Sequence, residues 1–290
     1  MKTDQLTHSD RLYWPDVGVT KEDLADYYAG IWHKIAPHIV GRPLALLRCP
    51  DGINGDRFFQ KHVWKGINPA IVPVRDPKTR AGKPLVSIRN VDGLIGLVQA
   101  ATLEIHPWGS TVTDWERPDR IVIDLDPGEG VSWTDVVAAA REVRARLEET
   151  GLAAFVKTTG GKGLHVVSPL KRKADWPAAK AFAKSLAQAM AADTPQRYVA
   201  TISKAKRRGR ILIDYLRNQR GATAIAPYST RARPGAPVSM PLAWRELRPN
   251  LGSSHFTVMN APKRLRSQAS DPWADFRASA VPLPSSRGGR

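Results

Sequence analysis

Two hydrophobic patterns take turns along the 290-residue chain. Short apolar, β-branched runs fall at 43–48, 70–74, 85–89, 103–106, 120–126, 153–159, 164–168, 211–216 and 223–226, and they predict strands. Apolar positions repeating every 3.6 residues predict helices over 21–35, 93–101, 132–151 and 176–192. In the third of these, Ser132 is a natural N-cap. Val136, Val137, Ala140, Val143 and Leu147 form the buried stripe, and Gly151 ends the helix. Strands often follow one another directly, which points to an α+β sheet protein rather than a regular doubly wound one. No internal repeat is visible.

Two acids interrupt the pattern at 120–128, Arg-Ile-Val-Ile-Asp-Leu-Asp-Pro-Gly. In a strand, residues i and i+2 share a face, so Asp124 and Asp126 point the same way with about 6–7 Å between their Cα atoms. That span can bracket metal ions roughly 3.5–4 Å apart. Pro127-Gly128 then ends the strand and puts the pair at its lip. Asp-Pro-Gly is also good turn chemistry, but a turn needs only Asp126. Asp124 lies between Ile123 and Leu125, where a lone carboxylate is costly. Asp214 interrupts the apolar run 211–216 in the same way; it reads either as a third ligand or as the partner of a nearby arginine. Three strand-borne acids are the minimal set for two divalent cations in nucleotidyl transfer.

Residues 157–165, Lys-Thr-Thr-Gly-Gly-Lys-Gly-Leu-His, form neither a Walker A loop nor a dinucleotide fingerprint. Their setting is strand–turn–strand. Glycines let backbone N–H groups approach an anion, Lys162 adds a charge, Thr159 adds a hydroxyl, and His165 falls just after the turn. Beside the acids this reads as a phosphate cradle; alone it reads as a Gly-rich hairpin. His106 stands at a strand end, where histidines are usually packed and hydrogen-bonded. Phe58 and Phe59 are adjacent, so in a strand at least one faces solvent. They could stack on a base or pack in the core. Cys49-Pro-Asp51-Gly52 resembles the Lys-x-Asp-Gly core of adenylylating ligases, but a cysteine stands where the nucleophilic lysine would be.

Charge narrows the class of partner. Lys and Arg number 44 against 27 Asp and Glu, a formal net charge of +17. The basic runs at 171–173, 204–210, 217–220, 231–233 and 263–266 all lie in the second half. Such an excess suggests a polyanion, nucleic acid first. The run 204–210 reads as an exposed loop. A single cysteine excludes a disulfide scaffold. No apolar run approaches the roughly 18 residues of a membrane span, and the N-terminus lacks a signal-peptide pattern. The expected location is the cytoplasm, against the nucleoid.

Taken together, Ile-Asp124-Leu-Asp126-Pro-Gly, Thr159-Gly-Gly-Lys-Gly-Leu-His165, Ile-Asp214-Tyr-Leu-Arg217-Asn and Glu104-Ile-His-Pro-Trp108 resemble the polymerase domain of bacterial ligase D, in the archaeo-eukaryotic primase superfamily. The resemblance covers about residues 5–280 and rests on several motifs in order. It implies one α+β domain over 1–290, with an N-terminal sheet unit at 1–110, an RRM-like catalytic sheet at 111–270 and a flexible tail at 280–290. It implies Asp124, Asp126 and Asp214 as ligands of two Mn²⁺ or Mg²⁺ ions. It implies nucleotide contacts from His106, Thr159, Lys162, His165, Arg217 and Arg231. It also implies Arg11 and Lys21 at a downstream 5′-phosphate, and Phe58 and Phe59 at the template. Thr159 stands where the family usually has Ser; the hydroxyl is kept.

The activity so implied is template-directed nucleotide addition, preferably of ribonucleotides, to 3′ ends of gapped or broken DNA in non-homologous end joining. The implied partners are DNA with 5′-phosphate ends, nucleoside triphosphates, a Ku-type end-binding protein and a ligase. Two rivals make different demands. A non-catalytic RRM-type module would carry aromatics, not acids, on its sheet face. A metal-dependent phosphatase using Asp124 would want a different turn than Pro127-Gly128.

Overall fold

The computed structural model describes residues 6–79 and 81–284 and divides them into two compact units. The first unit comprises the chain through Trp115 together with Thr223–Met240 and Ser254–Ala269. It opens with a ribbon of β1 (Leu12–Trp14) and β2 (Val19–Thr20). Helix α1 (Lys21–Gly30) starts at a capping box, where the Thr20 hydroxyl accepts from the Asp23 N–H and Asp23 accepts from the Thr20 N–H. The single helix predicted over 21–35 breaks at Ile31, which leaves helical geometry, and α2 (Trp32–Ile39) follows.

Strands β3 (Leu44–Arg48), β4 (Phe58–Gln60), β5 (Ile71–Val74) and β6 (Leu85–Ile88) come next, then α3 (Val91–Gln99) and β7 (Thr102–Pro107). They form an antiparallel sheet in the order β4-β3-β6-β5, with β7 also on β3. Trp14, Leu24, Ile35, Leu46, Ile88, Leu97, Leu103 and Ile105 are fully buried in this unit. Residues 223–240 join it through polar bonds. The Tyr27 hydroxyl donates to the Tyr228 carbonyl at 2.9 Å, and the Thr230 hydroxyl to the Leu103 carbonyl at 2.5 Å. The strand predicted at 223–226 is reduced to one bridge, Trp108 to Thr223. A short helix at Ala261–Ser267 lies where the sequence predicted no element.

The second unit comprises Glu116–Ala222, Pro241–Ser253 and the chain from Ser270. In sequence it runs β8 (Arg120–Pro127), α4 (Trp133–Glu149), β9 (Phe155–Thr158), β10 (Leu164–Pro169), α5 (Trp176–Asp193), β11 (Tyr198–Val199), β12 (Ile211–Asp214) and β13 (Pro241–Leu242). The sheet order is β11-β12-β8-β10-β9-β13. Its centre is thus a β-α-β-β-α-β motif with its four strands in the spatial order 4-1-3-2, the RRM-like arrangement the sequence suggested. Ser132 and Asp175 cap α4 and α5 as N-cap acceptors. On β8, Ile121, Ile123 and Leu125 are fully buried on one face, while the alternate positions carry Asp124 and Asp126 on the other.

Both units are discontinuous, because 223–240 and 254–269 fold with the N-terminal sheet, whereas the sequence suggested breaks near 110 and 270. The tail expected from 280 is tied down at Val281, which bridges Leu170 and accepts from the Lys171 N–H at 2.9 Å. Residues 285–290 lie outside the described residues.

Strand β12 ends at Asp214, two residues earlier than predicted, because a 3₁₀ turn follows at Leu216–Asn218. That turn is pinned by Asn218, which is almost fully buried. Its amide accepts from the Val122 N–H at 2.7 Å and donates to the Val122 carbonyl at 2.7 Å and the Tyr215 carbonyl at 2.9 Å. Asn218→Ala strands both Val122 groups inside the protein, so we expect a loss of about 2–3 kcal/mol. Urea unfolding of the variant reads it; a loss under about 0.5 kcal/mol means the turn does not depend on this amide.

Candidate active site

Strand register assembles the site in the second unit. Across the antiparallel pairs, Asp214 on β12 faces Asp124 on β8, Asp124 faces His165 on β10, and His165 faces Lys157 on β9. Directly opposed residues share a face. Lys157, His165, Asp124 and Asp214 therefore form one row across four strands, with Asp126 two positions along β8. Lys157 and His165 are nearly inaccessible, and Asp124 is 9% exposed.

Arg217, projected by the 3₁₀ turn after Asp214, meets both acids. Its Nε and Nη2 lie 3.2 and 3.1 Å from Asp124 Oδ2, and Nη2 is 3.5 Å from Asp214 Oδ2. His165 Nε2 is 3.4 Å from Asp124 Oδ1. Burial opposes ionisation of Asp124, yet His165 and Arg217 outweigh it and hold the carboxyl well below its usual range. Burial and the Lys157 charge push His165 down to about 4, so it is neutral near pH 7. Arg217 is then the charge that keeps Asp124 ionised. Asp126 is raised by burial and by the Asp124 charge, although Arg207 Nη1 sits 3.0 Å from its Oδ2 and Lys162 also opposes the rise. Asp214 is raised by burial, against the Leu216 N–H at 2.8 Å and the Arg217 charge.

The Gly-rich turn packs directly on this row. A Cβ at Gly163 would overlap the Leu125 carbonyl oxygen, so only glycine lets the turn lie against β8 between the two acids. Thr159 turns inward: its hydroxyl donates to the Gly163 carbonyl at 3.0 Å and accepts from the Gly161 and Gly163 N–H groups. Ser253, almost fully buried, donates to the same Gly163 carbonyl at 2.6 Å. Of the cradle residues, Lys162 is the exposed one. Thr159 closes the turn and His165 braces Asp124. Lys157 and Ser253 were missed from sequence. Lys157 could have been found as the charged residue that interrupts the apolar run of β9; Ser253, ninety residues from Gly163, left no local signal.

The remaining predicted residues lie in the first unit, in two clefts. His106 and Arg231 meet on Glu104: His106 Nε2 is 2.8 Å from Glu104 Oε2, and Arg231 Nε is 3.0 Å from Oε1. Phe58 and Phe59 are both exposed, at 42% and 58%, and line a cleft of about 660 Å³ with Arg57, Glu104, Arg231 and Arg233. The Phe59 ring stands edge-on to His106, with centroids 5.6 Å apart. Arg11 and Lys21 line a smaller cleft of about 210 Å³. Arg11 Nη1 donates to the Pro50 carbonyl at 2.8 Å, and Lys21 Nζ to the Thr7 carbonyl at 2.6 Å. Burial and the Arg11 charge lower the Lys21 ammonium. Cys49 is buried, and burial pushes its thiol up to about 11, as suits an inert packing residue.

Among the described residues, no group of three or more His, Cys, Asp or Glu side chains is gathered as a metal site. Arg217 and Arg207 lie against the carboxylate oxygens of the three acids. The donor set itself suits Mn²⁺ or Mg²⁺: three carboxylates on adjacent strands, two of them raised toward protonation where a cation would favour the charged form.

Residues 20–273 match the family described as LigD, primase-polymerase domain. The multifunctional non-homologous end joining protein LigD of Pseudomonas aeruginosa is 40% identical over 274 residues, 94% of this chain and 32% of that protein. The bifunctional non-homologous end joining protein LigD of Bacillus subtilis is 28% identical over 275 residues, 94% of this chain and 44% of that protein. The chain thus spans a third to under half the length of these relatives. The polymerase domain of Mycobacterium tuberculosis ligase D, solved in complex with DNA, superposes with a TM-score of 0.87 at 32% identity, covering 95% of this chain and 98% of that one. The α+β fold is therefore the archaeo-eukaryotic primase fold.

Arg217→Ala leaves Asp124 buried against Asp214 without its main cation. Breaking a fully buried pair costs about 3–5 kcal/mol. Arg217 is 41% exposed, so water screens part of the loss and about 1–3 kcal/mol is expected. Thermal or urea unfolding at pH 7 checks this; wild-type stability would mean that the acids do not depend on Arg217.

Proposed function

The chain belongs to the LigD primase-polymerase domain family, and from that membership and its carboxylate row we propose that it adds nucleotides to DNA 3′ ends during non-homologous end joining. The observation that carries the reading is the register-set face with Asp124, Asp126 and Asp214 beside the exposed Lys162 of the Gly-rich turn. A binding-only RRM module would present aromatics there; β8 and β10 present Asp124 and His165.

In the proposed reaction, the primer 3′ oxygen attacks the α-phosphorus of a nucleoside triphosphate in line. The new P–O bond forms as the bond to the leaving pyrophosphate breaks, and the hydroxyl proton is lost to solvent. Asp124, Asp126 and Asp214 would hold two Mn²⁺ or Mg²⁺ ions, which when bound supply positive charge at the attacking and leaving oxygens. Lys162 supplies a point charge to the triphosphate. Arg217 keeps Asp124 ionised and is a further proposed nucleotide contact. Thr159 keeps the turn closed and, with His165, His106 and Arg231, completes the proposed nucleotide contacts. Phe58 and Phe59, exposed together, offer stacking faces to template bases.

Primer extension on gapped DNA with Mn²⁺ tests the reading. Asp124→Ala, Asp126→Ala and Asp214→Ala should each reduce extension at least about a hundredfold, while salt-dependent DNA binding persists on the basic surface. Asp214→Ala retaining most of the activity would remove the third ligand. Run side by side, the assay should favour ribonucleoside over deoxyribonucleoside triphosphates; equal use removes the sugar preference alone.

Arg11 and Lys21 are proposed to hold a downstream 5′-phosphate. Three cations, Arg11, Lys21 and Arg48, line one small cleft, an arrangement that an anion relieves. The wild type should bind a 5′-phosphorylated duplex end more tightly than a 5′-hydroxyl end at low salt. Lys21→Ala should abolish the difference and Arg11→Ala should reduce it. Equal binding of both ends by the wild type would end this assignment. A Ku-type protein and a ligase are the proposed partners at the break, testable by co-assembly on labelled ends. Nucleoid association would follow from DNA binding and is read by cell fractionation with and without nuclease. No helix among the described residues is long and apolar enough to cross a membrane.

A further inference from the structure

We infer that Glu104 is a positioning residue: its single carboxylate fixes His106 and Arg231 together for their work on the nucleotide. This rests on the proposed reading of those two residues as nucleotide contacts. Glu104 and His106 are two apart on β7 and so share a face. Glu104 is 4% exposed, and a carboxylate so buried persists only if it is well partnered. Its partners divide cleanly between its two oxygens. Oε2 meets His106 Nε2 at 2.8 Å, whereas Oε1 meets Arg231 Nε at 3.0 Å and accepts from the Ala232 N–H at 2.9 Å. Residues 231 and 232 are more than 120 positions away in sequence, so this carboxylate joins a strand to a distant loop within the first unit.

The chemistry of the pair sets the state of the histidine. Burial alone would raise Glu104, but the His106 hydrogen bond and the Arg231 charge bring it down to about 2. An ionised carboxylate only accepts hydrogen bonds, so His106 must carry a proton on Nε2. Ring orientation and proton position are thereby set before any ligand arrives, and the Arg231 side chain is held by the same group. Preorganised contacts bind without first having to order themselves.

Glu104→Gln is the informative variant, because it is nearly isosteric. Its amide oxygen can replace Oε1 for Arg231 and Ala232. Its amide NH₂ then faces His106 Nε2 and donates, so the imidazole proton must move to Nδ1. We expect KM for the nucleoside triphosphate to rise about tenfold, with kcat changed less than about threefold. ¹⁵N NMR should show the His106 proton on Nε2 in the wild type and on Nδ1 in E104Q. In the double variant E104Q/H106A, KM should match that of H106A alone, because the two act as one unit.

The outcomes separate the claims. If H106A and R231A both leave KM unchanged, the nucleotide reading of these residues fails and this inference falls with it. If they raise KM but E104Q does not, or if the E104Q and H106A effects multiply, Glu104 is only structural. An unmoved His106 proton in E104Q has the same meaning. Should E104Q not fold, E104D carries the same cycle, since it keeps the charge but withdraws the carboxylate by one methylene.

Discussion

Everything in the catalytic unit depends on strand register. The pairing of β8 with β10 and β12 puts Lys157, His165, Asp124 and Asp214 in one row. A slip of one residue at either pair would send an acid into the apolar layer of Ile121, Ile123 and Leu125, because side chains alternate between faces. The cost of burying a carboxylate there therefore protects the register as well as the site. Gly163 and Asn218 reinforce it from opposite sides. The first lets the turn sit against the Leu125 carbonyl, and the second bonds both backbone groups of Val122.

The row also settles which residues bear charge. Lys157 and His165 lie on one side of Asp124, and Arg217 and Asp214 on the other. Burial, and then the Lys157 charge beside it, drive His165 toward neutrality, so the guanidinium balances Asp124. A neutral imidazole braced on a carboxylate is a hydrogen-bonding group rather than a counter-ion. The histidine of the Gly-rich motif thus contributes geometry at the metal-ligand candidate before it could contribute anything to a phosphate.

Much of this was legible in the chain. The acids were visible because Asp124 and Asp214 break apolar β-branched runs, and local periodicity placed α4 and α5 nearly to the residue. Other features were written in long-range contacts. Nothing near 223–226 says that an apolar run will make only one bridge, and nothing at Ser253 says that it will bond a carbonyl ninety residues back. The motif reads the Thr159 hydroxyl as a phosphate donor; that it also closes its own turn shows only in the fold. The pairing of Asp214 with an arginine was one of its two sequence readings. The structure shows that pairing without displacing the acid from the row, so a structural role and a ligand role are compatible at this residue.

The two β8 acids differ in how firmly they are held, and the difference follows from depth. Asp124 is contacted from both sides, by His165 on Oδ1 and Arg217 on Oδ2, and it sits below the lip of the sheet. Asp126 is two residues nearer the strand end, with its side chain 46% exposed, and its ion-pair partner comes from a loop. That loop is the basic run the sequence marked at 204–210. It approaches β8 so closely that a Cβ at Gly128 would overlap the Arg207 carbonyl oxygen. Backbone contact fixes where the loop meets the strand, while the long, partly buried Arg207 side chain reaches back to Asp126. An acid pair built this way has one member set by the sheet and one open to replacement of its partner. Burial and the Asp124 charge together raise Asp126, and both favour any cation that can take that place.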